Sequence, residues 1–487
     1  MSLENNPLLV TEGLPRYDEI RAEQVVEGVR HVLGGAGKII AELEANLTPT
    51  WDGLLKPLED LEVAFEYAWG PVGHLMSVRN ADDLRAAHEE VLAELVEFSL
   101  RTQQSRPIYE GLVAIRDGAE WAKLDGAQRR CIELKIRGAE HAGVGLTGEA
   151  KDRFNAIAAE LSQLATDFSN HVLDATKAFE LVVEDKADTE GWPNSLRQIA
   201  AQSYAQANEG SEATAEEGPW RITLDFPSFY PFMQHHRKRD HREQVYRANA
   251  QKASTGELDN SELIAKTLRL RKDQAGLLGF ADYAEWSLDA KMAPDASAVA
   301  RMVDDLQAAS KAHMQKDMDE LQALATERGQ SEPVMQWDTA FWSERLREAK
   351  FDYTDDQLRP YFPLPNVLDG LFGLAERLFD IEIQRADDEE AHSWHEDVQF
   401  FKVLRDGQRI ASFYLDPYSR PAEKRGGAWM NDCLGRRLIN GVLHLPVVHL
   451  VCNGTPPVGD TPSLMSFDEV HPLFHEFGHG LQGMLTT

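Results

Sequence analysis

The stretch FDEVHPLFHEFGHGLQGMLT, residues 467–486, carries more structural and chemical information than any other part of the sequence. His475 and His479 are four residues apart, which on a helix is a rotation of about 400°, so both imidazoles project from nearly the same face. Two such side chains can share one Zn2+ at about 2.0–2.1 Å. Glu476 is offset by about 100° and can reach a water on such a metal as general base. The pattern is H-E-x-x-H, and the chemistry it suits is hydrolysis of a peptide bond. Leu473, Phe477 and Leu481 fall on the opposite side and are expected to pack inward. Gly478 and Gly480 each cost about 1 kcal/mol in a helix interior, which implies a close approach by another backbone or by a substrate. Two starts are open for this helix: a Ser466/Glu469 capping box, or Pro472 at the first helical position.

Upstream, two β-rich runs, 398–404 and 410–415, flank Asp406-Gly407, a strong hairpin signal. Leu443 to Cys452 reads as a further strand, with Pro446 marking an edge or a bulge. A small sheet is therefore expected close to the helix. Most of the remaining chain has helical period. Phe154, Ile157, Leu161, Leu164, Phe168, Val172 and Ala175 form one stripe at steps of three and four. Residues 185–219 lose that period and read as a surface excursion with short helical pieces. The runs Phe179–Val183 and Arg221–Phe226 on either side can pair as a hairpin. The expected division is a helical region, 1–220, followed by a catalytic domain, 221–487.

With 487 residues, 43% hydrophobic and 27% charged, the chain has the composition of a folded globular protein. A formal charge of −31 repels phosphate backbones, so nucleic acid is excluded as an expected partner. No run approaches the roughly 18 apolar residues of a membrane span, and MSLENNPLLV lacks the basic start of a signal peptide. Cys131, Cys433 and Cys452 form no disulfide or metal spacing, and the expected location is the reducing cytoplasm. Gly34 to Lys38 lacks the first glycine and the Ser/Thr of a phosphate loop. His444 and His449, read in one strand, point to opposite faces, and His392 and His395 read as loop residues. His235 to Arg239 reads as a solvated basic face.

The zinc helix, the segment RGGAWM at Arg425–Met430 after Asp416-Pro417-Tyr418, RFNAIAAELSQLATDFSNHVLDATKAF at Arg153–Phe179 and LDFPSFYPFM at Leu224–Met233 together resemble the thimet oligopeptidase and oligopeptidase A family of zinc metallopeptidases. The bacterial oligopeptidase A branch is the nearest in these motifs, with Pro472 as a departure. The resemblance implies a mainly α, two-lobed helical fold with a small β-sheet near the zinc helix. It implies a monomer that cuts internal bonds of short peptides, with Zn2+ on His475 and His479 and Glu476 as base. The backbone of Gly427 and Ala428 is then expected to bind substrate as an added strand. The family takes a third ligand, a glutamate, from a helix beyond the second histidine. Only eight residues follow His479 and none is acidic, so the fold is expected to be incomplete at its C-terminus and the chain inactive alone. The alternative is a pseudo-peptidase that binds peptides or partners without cutting them.

Overall fold

The computed structural model describes residues 3–387, 390–439, 441–459 and 461–487. The chain begins with helices α1 (Ala22–Ala45), α2 (Lys56–Val78), α3 (Asp82–Gln103), α4 (Arg106–Asp117), α5 (Gly126–His141) and α6 (Gly148–Ala178). Next come β1 (Leu181–Val183), α7 (Asn194–Ala207), β2 (Trp220–Ile222), α8 (Phe226–His235) and α9 (Arg239–Ala250). Helices resume with α10 (Ser261–Leu277), α11 (Tyr283–Asp289), α12 (Ala296–Glu327), α13 (Gln336–Phe351), α14 (Asp355–Leu358) and α15 (Leu364–Phe379). The strands β3 (Glu382–Arg385), β4 (Gln399–Arg405), β5 (Gln408–Tyr418), β6 (Trp429–Leu434), β7 (Arg437–Ile439), β8 (Val442–His444) and β9 (Val447–Gly454) precede a last helix, α16 (Phe467–Leu485). The architecture is mainly helical with small sheets, as the sequence leads one to expect.

By internal contact the chain forms two compact units, 1–170 with 260–307, and 171–259 with 308–487. The compositional boundary at 220/221 therefore lies inside the second unit. In the first unit Ile40, Leu54, Leu55, Ile115 and Ile132 make a fully buried core among α1, α2, α4 and α5. Phe154, Ile157 and Leu164 of α6 are buried, and the last two share a cluster with Leu270 of α10. Phe168 is 40% exposed, so the stripe expected along this helix is buried only in its first half.

In the second unit β1 and β2 pair antiparallel, Leu181 opposite Ile222, which is the hairpin expected from the flanking runs. The intervening 185–219 is more than an excursion. Its helix α7 buries Leu196, Ala200 and Ala201 in a cluster with Trp192, Trp220 and Phe232. Alanines supply most of that face, which is why it shows little apolar contrast in sequence.

The principal sheet has the order β3-β4-β5-β9-β6; β5 and β9 run parallel and the other pairs antiparallel. The β4–β5 hairpin turns at Asp406 (φ +52°) and Gly407 (φ +71°), the left-handed pair that the Asp-Gly signal calls for. Alternation sends Phe413, Leu415, Val448, Leu450 and Cys452 into one cluster with α15 and α16. Tyr414, Asp416 and His449 point the other way. The strand expected at 443–452 is in fact two: β8 pairs with β7 in a separate ribbon, and β9 is interior to the sheet. Pro446 has no N–H to give a ladder and stands between them, its carbonyl accepting from Ser412 N at 3.0 Å. Among the described residues no helix is long and apolar enough to cross a membrane.

Candidate metal and peptide site

Helix α16 starts at Phe467 with Ser466 as N-cap, which decides between the two sequence readings. Ser466 Oγ accepts from Glu469 N (3.3 Å) and Glu469 Oε2 accepts from Ser466 N (2.6 Å), a complete capping box. Glu469 Oε1 also accepts from the backbone and hydroxyl of Thr455, both at 2.6 Å, so the helix start is tied to the end of β9. Pro472 sits in the second turn and has no N–H to offer the Asp468 carbonyl four residues back.

The inward face is as expected. Leu473 and Phe477 are each 2% exposed, and the Phe477 ring meets Phe413 and Phe372 at 5.8 Å. A Cβ on Gly480 would lie 3.0 Å from Leu450 Cδ2, and one on Gly483 would lie 3.1 Å from Met430 Cε and 3.2 Å from Val448 Cγ1. These glycines let the helix lie close on β9 and β6. A Cβ on Gly478 would meet no protein atom within 4 Å, so the close approach by another part of the chain is found at Gly480.

On the outward face His475 and His479 are exposed with their Nε2 atoms 3.1 Å apart. Two nitrogens each about 2.0–2.1 Å from one tetrahedral zinc have nearly this separation, so spacing and donor type fit the metal. A catalytic zinc site takes three protein ligands, and this pair has the donors for two of them. Among the described residues no third His, Cys, Asp or Glu donor lies within 4.8 Å of both. Glu476 is half-buried beside the pair. Its charge reaches Cys452, whose thiol burial pushes up to about 12 with Glu476 adding to the effect.

The sheet brings Gly427 and Ala428 to the same region. They directly precede β6, which pairs with β9 on one side only and so leaves an edge. Gly427 has φ +93°, a conformation that favours glycine. Asn453 Nδ2 holds the loop by donating to the carbonyls of Arg425 (2.9 Å) and Gly427 (2.5 Å). Beneath it Lys424, fully buried, donates to Asp416 Oδ1 (2.8 Å) and to the carbonyls of Tyr418 (2.7 Å) and Cys452 (2.6 Å). Burial pushes the Lys424 ammonium down to about 8 against the pull of Asp416, so it is still charged at neutral pH. Burial alone would raise Asp416, but the hydrogen bonds of Arg420 and the Lys424 charge bring it below the usual carboxylate range.

Comparison with known proteins gives the lineage. Residues 232–487 match Peptidase family M3, and residues 29–151 match the neurolysin/thimet oligopeptidase N-terminal domain. The chain belongs to peptidase family M3. It is 46% identical to the organellar oligopeptidase A of Arabidopsis thaliana over 100% of its own length and 62% of that protein. Identity is 44% to the probable cytosolic oligopeptidase A of the same plant and 37% to oligopeptidase A of Escherichia coli (strain K12), with 70% of each relative covered. The chain thus spans 62–70% of the length of these relatives. The M3 match includes α16, the RGGA loop and the sheet that joins them.

The other histidines singled out from the sequence form no metal-ligating group with His475 and His479 among the described residues. His444 and His449 lie in different strands, not in one, and His449 is buried against Trp394 and Tyr414. His392 and His395 are in a loop, as expected. The basic run at 235–239 is solvated only in part: Arg237 and Lys238 are exposed, as expected, and the two histidines are not. His235 and His236 are buried, while Arg237 pairs with Glu190, Lys238 with Asp188 and Arg239 with Asp338. All three cysteines are free thiols, Cys433 and Cys452 buried.

Proposed function

We propose that this chain carries the zinc-binding helix and the substrate-binding edge of a cytosolic, monomeric metallo-oligopeptidase that hydrolyses internal bonds of short peptides. The observation that supports this most is the pair of imidazole nitrogens 3.1 Å apart, on the helix packed beside the free edge at Gly427-Ala428. His475 and His479 hold Zn2+, which when bound polarises the scissile carbonyl and acidifies water. Glu476 takes the proton of the attacking water and passes it to the leaving amine. The backbone at Gly427 and Ala428 aligns the peptide as an added strand, through main-chain contacts that do not read its side chains. Residues 221–487 carry the catalytic part in this reading, and residues 1–220 precede it in sequence as a helical region.

Two imidazoles without a third donor among the described residues make the isolated chain a weak zinc binder and a poor catalyst. The same observation favours, as a second reading, a pseudo-peptidase that keeps the peptide edge and lacks turnover. Titration of Zn2+ into the purified chain, with His479→Ala as control, tests the metal reading: zinc retained undiminished by the variant would refute it. Chelator-sensitive cleavage of a quenched short peptide, abolished by Glu476→Gln, would exclude both the inactive chain and the pseudo-peptidase.

A further inference from the structure

One cavity in the second unit is not used by the chemistry above. It has a volume of about 310 Å³, room for one long side chain rather than a length of peptide. Its floor is apolar: Leu364, Met465, Leu473 and Cys452 line it and all are buried. Gly427 and Ala428, the residues of the proposed substrate edge, form one wall. The first two turns of α16 form another, through Asp468, Glu469, Pro472 and Leu473, immediately before His475. A side chain leaving a peptide strand aligned on that edge therefore has this cavity beside it.

The charge at the cavity is specific. Two carboxylates line it, and they differ in what they have left to offer. Glu469 is buried and saturated: it accepts from Thr455 N, Thr455 Oγ1 and Ser466 N and pairs with Arg359 at 3.4 Å. Asp468 is exposed at the mouth, and its carboxylate forms no hydrogen bond or ion pair among the described residues. The arginines on neighbouring elements are engaged elsewhere, Arg359 with Glu469 and Arg347 with Glu344 and Asp355. Phe226 also lines the cavity and stacks on Tyr230 at 5.3 Å. The Tyr230 hydroxyl is pushed up by burial first and by the Asp468 charge second. An apolar shaft with one uncommitted anion at its mouth matches an aliphatic stem that ends in a cation.

We propose that this cavity is a side-chain subsite of the peptide edge and that it selects a long cationic side chain, arginine or lysine, with Asp468 as the specificity-determining residue. The proposal rests on the reading of Gly427-Ala428 as a peptide-binding edge. The stem lies on Leu364, Met465 and Leu473, and the cation meets Asp468. A partly solvated pair of this kind gives a preference of about fivefold, the effect of roughly 1 kcal/mol.

The test is equilibrium binding to the purified chain of fluorescein-labelled alanine-glycine octapeptides, read by anisotropy in the presence of Zn2+. A single arginine, norleucine or glutamate is walked along the peptide. The expected result is one position at which arginine binds about fivefold tighter than norleucine, with the preference lost in Asp468→Asn and turned toward glutamate in Asp468→Lys. Circular dichroism checks that each variant is folded. If octapeptides bind but no position prefers arginine, or if the preference survives in Asp468→Asn, the subsite proposal is overturned and the peptide edge stands. If none of the octapeptides binds, the edge reading fails and the subsite falls with it.

Discussion

Replacing His449 should change how stability responds to acid. His449 lies in β9 at 3% exposure, with its ring 5.6 Å from those of Trp394 and Tyr414. Burial pushes the imidazole down to about 3, against a smaller upward pull from Asp416. In the unfolded chain it titrates near 6.5. The native state thus keeps the neutral form, and above about pH 6.5 neither state gains a proton. Below that the unfolded chain takes up a proton that the native state refuses, so stability is lost progressively from about pH 6.5 down to about 3. At pH 5 this one group costs about 2 kcal/mol. Two other effects overlap it. His235 and His236 are also pushed down to about 3 by burial and act in the same direction, while relief of self-repulsion in a chain of charge −31 acts in the opposite one. Comparison with His449→Leu cancels both. Urea unfolding of the two proteins at pH 7.5 and 5.0 should give a stability gap that narrows by about 2 kcal/mol at the lower pH. An equal gap at both values would refute a neutral, proton-refusing His449.

Phe477→Ala removes the ring that fills the space between α16 and the sheet and should cost about 3–5 kcal/mol in chemical denaturation. Lys424→Met leaves the Tyr418 and Cys452 carbonyls without their donor and Asp416 short of one partner, for a loss of about 3–5 kcal/mol by the same measurement. Gly478→Ala adds a methyl where nothing lies within 4 Å and should stabilise by up to about 1 kcal/mol, whereas Gly480→Ala presses on Leu450 at 3.0 Å and should gain nothing. Equal melting temperatures for these two variants would contradict that difference.

What could be read from sequence was local. The spacing of His475 and His479, the inward Leu473 and Phe477, and the Asp406-Gly407 turn each depend on residues within a few positions of one another, where the helix and strand periods act directly. The helix starts before Pro472 and not at it, because the capping box and the ties of Glu469 to Thr455 and Arg359 hold the first turn in place. The residues that hold the RGGA loop were not legible. Lys424 reaches Asp416 and Cys452 only because β5 and β9 pair in parallel, Ser412 opposite Val447, across more than thirty residues of sequence. Asn453 has no motif around it. Acid and base at Asp416, Arg420 and Lys424 recur every four residues, a signal that by itself suggests a helix surface, yet here the three converge beneath a strand end. The ion pairs of the basic run at 235–239 were hidden for the same reason, since its carboxylate partners lie up to about a hundred positions away in sequence.

The direction in which the two imidazoles face is set by the packing of the helix rather than by the histidines themselves. Three sets of contacts fix α16. The bonds of Glu469 to Thr455 and Ser466 anchor its start, Gly480 and Gly483 set its distance from β9 and β6, and Phe477 against Phe413 sets its rotation. Each residue turns the helix by about 100°, so with Phe477 inward, positions 475 and 479 lie about 200° away and face outward. Glu476 falls to the side, where its charge is felt by Cys452. The same β9 on which Gly480 and Gly483 lie pairs with the edge strand β6 and, through Asn453, holds the carbonyls of Arg425 and Gly427. The proposed metal face and the proposed peptide edge are thus registered to each other through one strand. A substitution in β9 that shifted the helix would displace the imidazoles and the loop together, even without touching either.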